Sequence, residues 1–305
     1  MAQMDSPQKS LEVYTIPRLL YGLESVIITP QQLQKMETFH RNILRCLQSL
    51  PDRTSVAAIH LLIAIPPMEA ILDLRIFSLL WRVAIQQDTP LNTLASRQLA
   101  TKGAHSKSWF IHADQRLYKY GLPTLIEIMT SPPTKEAWKN ITHKTVYAYW
   151  DEKLQSQVRQ QSSMRYLDVQ ECSINRIHAV WRDIGCTREG RRAALRAKLL
   201  TGTYILQENR ARFNQFEVNP TCKMCGAATE DRLHFLIVCS ALLPIRSRFM
   251  PLILQLLPGL DSMPEDVQMT LLMDTSHFSN PTLEKTLRSY IFALHEARAH
   301  KLPVN

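Results

Sequence analysis

Glycine is scarce in this chain, with 8 residues in 305, and no glycine-rich phosphate loop, G-x-G-x-x-G turn or G-x-S-x-G elbow is present. The nucleotide cradles and strained serine turns that such motifs build are therefore excluded as readings. No two aspartates are adjacent, so the paired carboxylates that hold two metal ions about 4 Å apart in a polymerase palm are missing. No run of eighteen uncharged apolar residues occurs, which removes the ordinary signature of a membrane helix. The start, Met1-Ala-Gln-Met-Asp5-Ser6-Pro7, lacks the basic-then-apolar layout of a secretion signal. Cysteines number 6 and do not form the dense framework of a secreted disulfide scaffold. An intracellular location, nuclear or cytoplasmic and not secreted, is the expectation.

Proline is common, at 17 residues, and apolar residues recur at intervals of three and four. That combination predicts a mainly α protein whose helices are punctuated by proline. The clearest case opens at Pro30 and repeats apolar positions through Leu33, Met36, Phe39, Ile43 and Leu47. A second runs from Pro67 to Gln86 through Ile71, Leu74, Phe77, Leu80, Trp81 and Ile85. Further helices are expected at 8–23, 54–63, 106–120, 134–158, 175–184, 187–202, 242–257 and 281–300. Short β pieces are expected at Val26-Ile27-Ile28 and around the cysteine cluster described next. The polar stretch 156–164 is the best candidate linker. The expected division is 1–155 as a helical region, 165–245 as a basic helix with a metal-binding module, and 246–305 as a helical cap.

Four residues carry the most specific chemistry: Cys222, Cys225, His234 and Cys239, a C-x2-C-x8-H-x4-C array. Three thiolates and an imidazole are the closed tetrahedral set of a structural Zn²⁺. All four positions are supplied by protein, which leaves no place for a catalytic water. Gly226 follows the Cys-x-x-Cys pair and would let the backbone curl round the ion. The competing reading is a redox Cys-x-x-Cys with an unrelated Cys239, but no βαβ pattern surrounds it.

The formal net charge is +9, which speaks to partners rather than fold. Polyanions such as RNA or DNA are the first suspects. From Cys186 to Arg212 seven bases (Arg188, Arg191, Arg192, Arg196, Lys198, Arg210 and Arg212) face two acids, Glu189 and Glu208. On a helix over 187–202, the first five fall within an arc of roughly 160°, with Ala193, Ala194, Ala197 and Leu200 opposite. Leu195 and Leu199 lie inside the basic arc, so two readings stay open. Either the arc points outward along phosphates, extended by Arg210 and Arg212, or arginine stems cover those leucines on a half-buried face. Tyr204, Phe213, Phe216 and Phe235 lie near the strip; each is either core or a stacking platform for bases, and Phe235, beside His234, belongs to the metal site.

Other candidate motifs are weaker. Glu230-Asp231 and Glu265-Asp266 read as structural, the second as the acidic first turn of a helix. His295 and His300 are five apart, so on an α-helix they point about 140° away from each other and do not make a metalloprotease pair.

The segments Lys198-Leu199-Leu200-Thr201-Gly202-Thr203-Tyr204, Asn209-Arg210-Ala211-Arg212-Phe213, Cys222-x-x-Cys225-Gly226, Glu230, His234-Phe235-Leu236 and Cys239 resemble the zinc-binding tail of non-LTR (LINE-type) retrotransposon reverse transcriptases. Asp231 stands where that family commonly has threonine. Ile16-Pro17-Arg18-Leu19-Leu20-Tyr21-Gly22-Leu23-Glu24, the stretch from Leu33 to Leu50-Pro51 and the Leu61–Arg82 region are similar to the thumb of the same enzymes. The likeness spans nearly the whole chain. It implies a fragment lacking fingers and palm, hence no polymerase activity of its own. It further implies a structural zinc, and contact with element RNA or target DNA. A zinc-braced protein-interaction module and a non-functional remnant are the alternatives. No membrane or small-molecule substrate is expected, while a protein partner is compatible with either reading.

Overall fold

The computed structural model describes residues 11–212, 218–278 and 280–302. It is mainly α, and among the described residues β pairing is confined to two isolated bridges, Ser173 with Arg176 and Thr221 with Thr229. Val26–Ile28, expected as a β piece, is irregular. No single helix among the described residues is long and apolar enough to cross a membrane.

In chain order the helices are α1 (Ile16–Leu19), α2 (Pro30–Gln48), α3 (Val56–Ile63), α4 (Met68–Ile85), α5 (Pro90–Thr101), α6 (Trp109–Lys119), α7 (Leu125–Thr130) and α8 (Lys135–Arg159). There follow α9 (Thr187–Leu200), α10 (Gln207–Arg212), α11 (Leu243–Leu256), α12 (Glu265–Met273) and α13 (Pro281–Lys301). Their starts are written locally. Thr29 and Gln32 exchange side-chain and backbone hydrogen bonds at the head of α2, and Thr124 and Glu127 form a full capping box on α7, satisfying N–H groups that the helix itself leaves orphaned.

The chain divides into two compact units, one of residues 1–47 and 65–154, the other of residues 48–64 and 155–305. In the first, α4 packs against α5, α6 and α7 and buries Leu72, Ile76, Phe77, Leu80 and Val83. The four tryptophans here each find an acceptor for the indole N–H: Trp81 on Pro133 O, Trp109 on Glu24 O, Trp138 on Phe77 O and Trp150 on the Tyr120 hydroxyl. Burying an indole without such a partner would strand a donor. The buried carboxylate of Asp73 accepts from Arg116 and from the Tyr120 hydroxyl. Beside it the Lys119 ammonium lies 2.7 Å from Glu69 and 4.7–5.3 Å from the ring centroids of Tyr120, Trp150 and Tyr149. This polar network is closed by its own side chains.

In the second unit α9 and α11 both pack against α13. Ala193, Ala197 and Leu200 on α9, and Leu283, Leu287, Tyr290, Ile291 and Leu294 on α13, are fully or almost fully buried. Three sequence expectations change here. Over 175–184 only a 3₁₀ turn forms, Ala179–Trp181, because the His178 ring caps the Val180 N–H and Asp183 takes a positive φ of 55°; local side-chain bonds of this kind compete with helix. The polar stretch 156–164 is not an open tether: α8 continues to Arg159, and Val158 and Met164 are buried. Finally, α10 has no counterpart among the expected helices, and neither do α5 and α7 of the first unit, whereas α12 opens on Glu265 and Asp266, in keeping with their reading as an acidic first turn.

Candidate metal centre and nucleic-acid interface

Thr221 and Thr229 pair across a short turn, with the Cys222 N–H donating to Ala228 O at 2.7 Å. Within it the Gly226 N–H returns to Cys222 O at 2.8 Å. Gly226 has φ 71°, a left-handed conformation that glycine adopts without penalty, so the curl expected of that residue is present. The other two ligands bracket a π turn, His234–Val238: His234 opens it, and Cys239, just past its end, closes it with an N–H on His234 O at 2.8 Å. A π turn repeats at i to i+5. That is why residues five apart face one point here, although the same spacing at His295 and His300 on an ordinary helix does not.

The four side chains converge. Cys222 Sγ lies 3.8 Å from Cys239 Sγ, and Cys225 Sγ 3.3 Å from His234 Nε2. One ligand atom from each of the four falls within 4.8 Å of all the others, so the group could hold a metal ion. The support around it is continuous: the Asp231 carboxylate accepts the His234 N–H at 2.7 Å, Arg246 donates to Cys239 O, and the Tyr290 hydroxyl donates to Leu236 O. Phe235, 1% exposed, packs its ring against Tyr204 at 5.5 Å. Tyr204 is thus core rather than a stacking platform, while Phe213 and Phe216 lie outside the described residues.

Without a cation the thiols are unequal. Burial and the neighbouring Cys222 sulfur push Cys239 up to about 12. Burial also opposes ionisation of Cys225, but N–H groups of Ala227 and Ala228 and the adjoining thiols hold it below its ordinary value. Burial lowers His234. A coordinated divalent ion reverses this logic, because its charge deprotonates the thiols it binds.

The basic strip is split by the fold. Arg188, Arg191, Arg210 and Arg212 are exposed, and Arg192 and Lys198 are half-buried. Arg192 is engaged by Glu189 at 2.9 Å and Ser289 at 3.1 Å. Arg196 is 1% exposed and does not belong to an outward arc. It lies 3.4 Å from Glu284 and donates to Met273 O at 3.1 Å, and Glu284 is shared with Arg288 at 3.1 Å. Leu195 and Leu199, the apolar intrusions in the arc, are buried too. They draw that side of α9 into the core, and Arg196 goes with them.

One constellation invisible in the sequence has the composition of a hydrolytic triad. Ser276 Oγ lies 2.6 Å from His178 Nε2, and Asp274 accepts from Ser276 Oγ at 2.6 Å and faces His178 Nε2 at 3.2 Å. Its connectivity is wrong for catalysis. The Val180 N–H donates to His178 Nδ1, so the ring proton sits on Nε2 and that nitrogen cannot accept one from serine. All three residues are at most 2% exposed, which seals the serine from substrate. The group is a structural lock. An open cleft of about 800 Å³ beside the metal centre is lined by Asp231, Glu265 and Asp266 as well as Arg165, a charge balance that disfavours phosphate.

No family model matches the chain, and neither curated proteins nor solved structures give a significant match.

Proposed function

We propose that this chain is a non-catalytic nucleic-acid-binding portion of a retroelement reverse transcriptase, with thumb-like helices followed by a zinc knuckle. The observation that carries the reading is the convergence of Cys222, Cys225, His234 and Cys239, in the same unit as the exposed Arg188, Arg191, Arg210 and Arg212. Zinc is the ion the donor set favours. With Zn–S near 2.3 Å and Zn–N near 2.0–2.1 Å, a tetrahedral site has S–S edges of about 3.8 Å and S–N edges of about 3.6 Å. The Cys222–Cys239 separation of 3.8 Å matches that S–S edge, and the Cys225–His234 separation of 3.3 Å is somewhat shorter than the S–N edge. Such an ion supplies folding energy rather than chemistry, consistent with a closed ligand set. The arginines at 188, 191, 210 and 212 would neutralise phosphates of RNA or DNA, each steepening the salt dependence of log K by about 0.9 or less.

The test is a salt series of RNA binding with metal content measured on the same samples. Replacing Arg188, Arg191, Arg210 and Arg212 by Gln should flatten the slope by roughly 3; a slope equal to the parent's removes the polyanion reading. A second reading, a zinc-braced protein-interaction module, is favoured by Val238, Leu243 and Leu252, which are exposed in the unit that holds the metal centre. Nuclease-resistant capture of a partner, lost in a Leu243→Ser, Leu252→Ser variant, would support it.

A further inference from the structure

Glu230 is a carboxylate on which three elements of the second unit meet. It lies four residues before His234 and is 1% exposed. Oε2 accepts the backbone N–H of Gln207 at 2.9 Å, and the two carboxylate oxygens take Nε and an Nη of Arg298 at 2.6 and 2.9 Å. The Glu230 carbonyl accepts the Glu208 N–H at 3.2 Å, and its own N–H donates to Pro220 O at 2.8 Å. The knuckle, the first turn of α10 and the last third of α13 are therefore joined through one side chain and its backbone.

The joint matters because α10 has 6 residues. Helices shorter than about 12 residues are marginal without outside support. Two of its orphan N–H groups are satisfied by Glu230, and a two-pronged carboxylate–guanidinium pair fixes Glu230 in turn. From α10 project Arg210 and Arg212, both exposed.

We infer that Glu230 is a positioning residue through which the metal knuckle sets the place of Arg210 and Arg212, so that metal loading regulates how the chain grips a polyanion. The inference rests on the polyanion reading above and adds its regulation. With the knuckle formed, the Pro220–Glu230 backbone is held and the start of α10 is clamped. With the knuckle open, Glu230 loses its fixed backbone, and the head of α10 keeps only local support, the buried Leu206 and the Asn209 side chain that accepts its N–H.

The test is Glu230→Gln, which keeps the shape but removes the charge. Three readouts are taken on the full chain: metal per chain, hydrogen exchange at the Gln207 and Glu208 amides, and the salt slope for a single-stranded oligouridine. The expectation is one metal retained, at least tenfold faster exchange at the Gln207 amide, which the side chain accepts, a smaller rise at the Glu208 amide, which the backbone carbonyl accepts, and a slope reduced by roughly 1–2 toward that of an Arg210→Gln, Arg212→Gln variant. Unchanged protection at Gln207 and Glu208, with metal retained, would overturn the inference. If the Arg210→Gln, Arg212→Gln variant keeps the parent slope, the polyanion reading of α10 fails, and the exchange rates alone then decide whether Glu230 positions the helix. Should Glu230→Gln not fold, chelation of the parent replaces it. Exchange should then rise at Gln207 and Glu208 while the α9 amides from Ala197 to Leu200 stay protected, and persistence of the Gln207 and Glu208 protection after metal removal would overturn the inference equally.

Discussion

Arg196 and Glu284 face each other at 3.4 Å inside the second unit, with side chains 1% and 5% exposed. The pair joins α9 to α13, and Glu284 also takes Arg288 and the Thr275 hydroxyl at 2.7 Å. Burial opposes the Glu284 charge, but Arg196, Thr275 and Arg288 together hold its carboxyl below the usual range. Removing one member of such a pair strands the other. Glu284→Gln and Arg196→Met should each cost about 3–5 kcal/mol, and the double variant less than their sum. Urea unfolding of the four species measures this; strict additivity would mean that the pair is not coupled.

The lock formed by His178, Asp274 and Ser276 makes a prediction about acid. Burial disfavours the Asp274 charge, yet His178, Ser276 and the Asp168 N–H hold its carboxyl far below the ordinary value. A carboxyl depressed on folding contributes stability that is complete above its unfolded value near 4 and is lost as pH falls through the folded one. Asp274→Asn should therefore lose about 3 kcal/mol at pH 7, and the gap from the parent should close progressively below pH ~4. Unfolding free energies between pH 7 and 3 check the sign. A gap that widens on acidification would contradict it.

Gly202 is held by its surroundings as well as by its backbone. Its φ is 69°, and an added Cβ would stand 2.7 Å from Ser163 O. That oxygen cannot easily yield, because Arg232 donates to it at 2.8 Å and to Leu199 O at 3.2 Å. Gly202→Ala should destabilise by about 2–4 kcal/mol, read as a fall in unfolding midpoint. Gly226→Ala, where nothing lies within 4 Å of the added atom, carries only the conformational penalty and should cost about 1–2 kcal/mol.

Much of this arrangement was legible in the sequence because it is local. Proline-led helices such as α2 and α13 announce themselves by an opening residue and a 3.6-residue rhythm, and the four ligands lie within eighteen positions. Even so, α5 escapes that pattern although Thr89-Pro90 is the same threonine–proline start as Thr29-Pro30, with Thr89 accepting the Asn92 N–H. Its weak apolar stripe, with Ala95 its one buried residue, concealed it. A helical wheel puts Arg196 on the outside because it assigns a charge to solvent unless its partner is known, and Glu284 is 88 positions away. The Glu284–Arg288 spacing of four was visible, but nothing local says that this pair is buried. The His178–Asp274–Ser276 lock joins residues 96 and 98 positions apart and leaves no sequence trace.

The most direct measurement is native mass spectrometry of the purified chain beside elemental analysis, repeated for Cys222→Ser, Cys225→Ser. One zinc per chain in the parent is predicted, lost in the variant together with the order of the 218–239 region. A folded parent without stoichiometric metal, or a variant that retains both the metal and that order, would contradict the account.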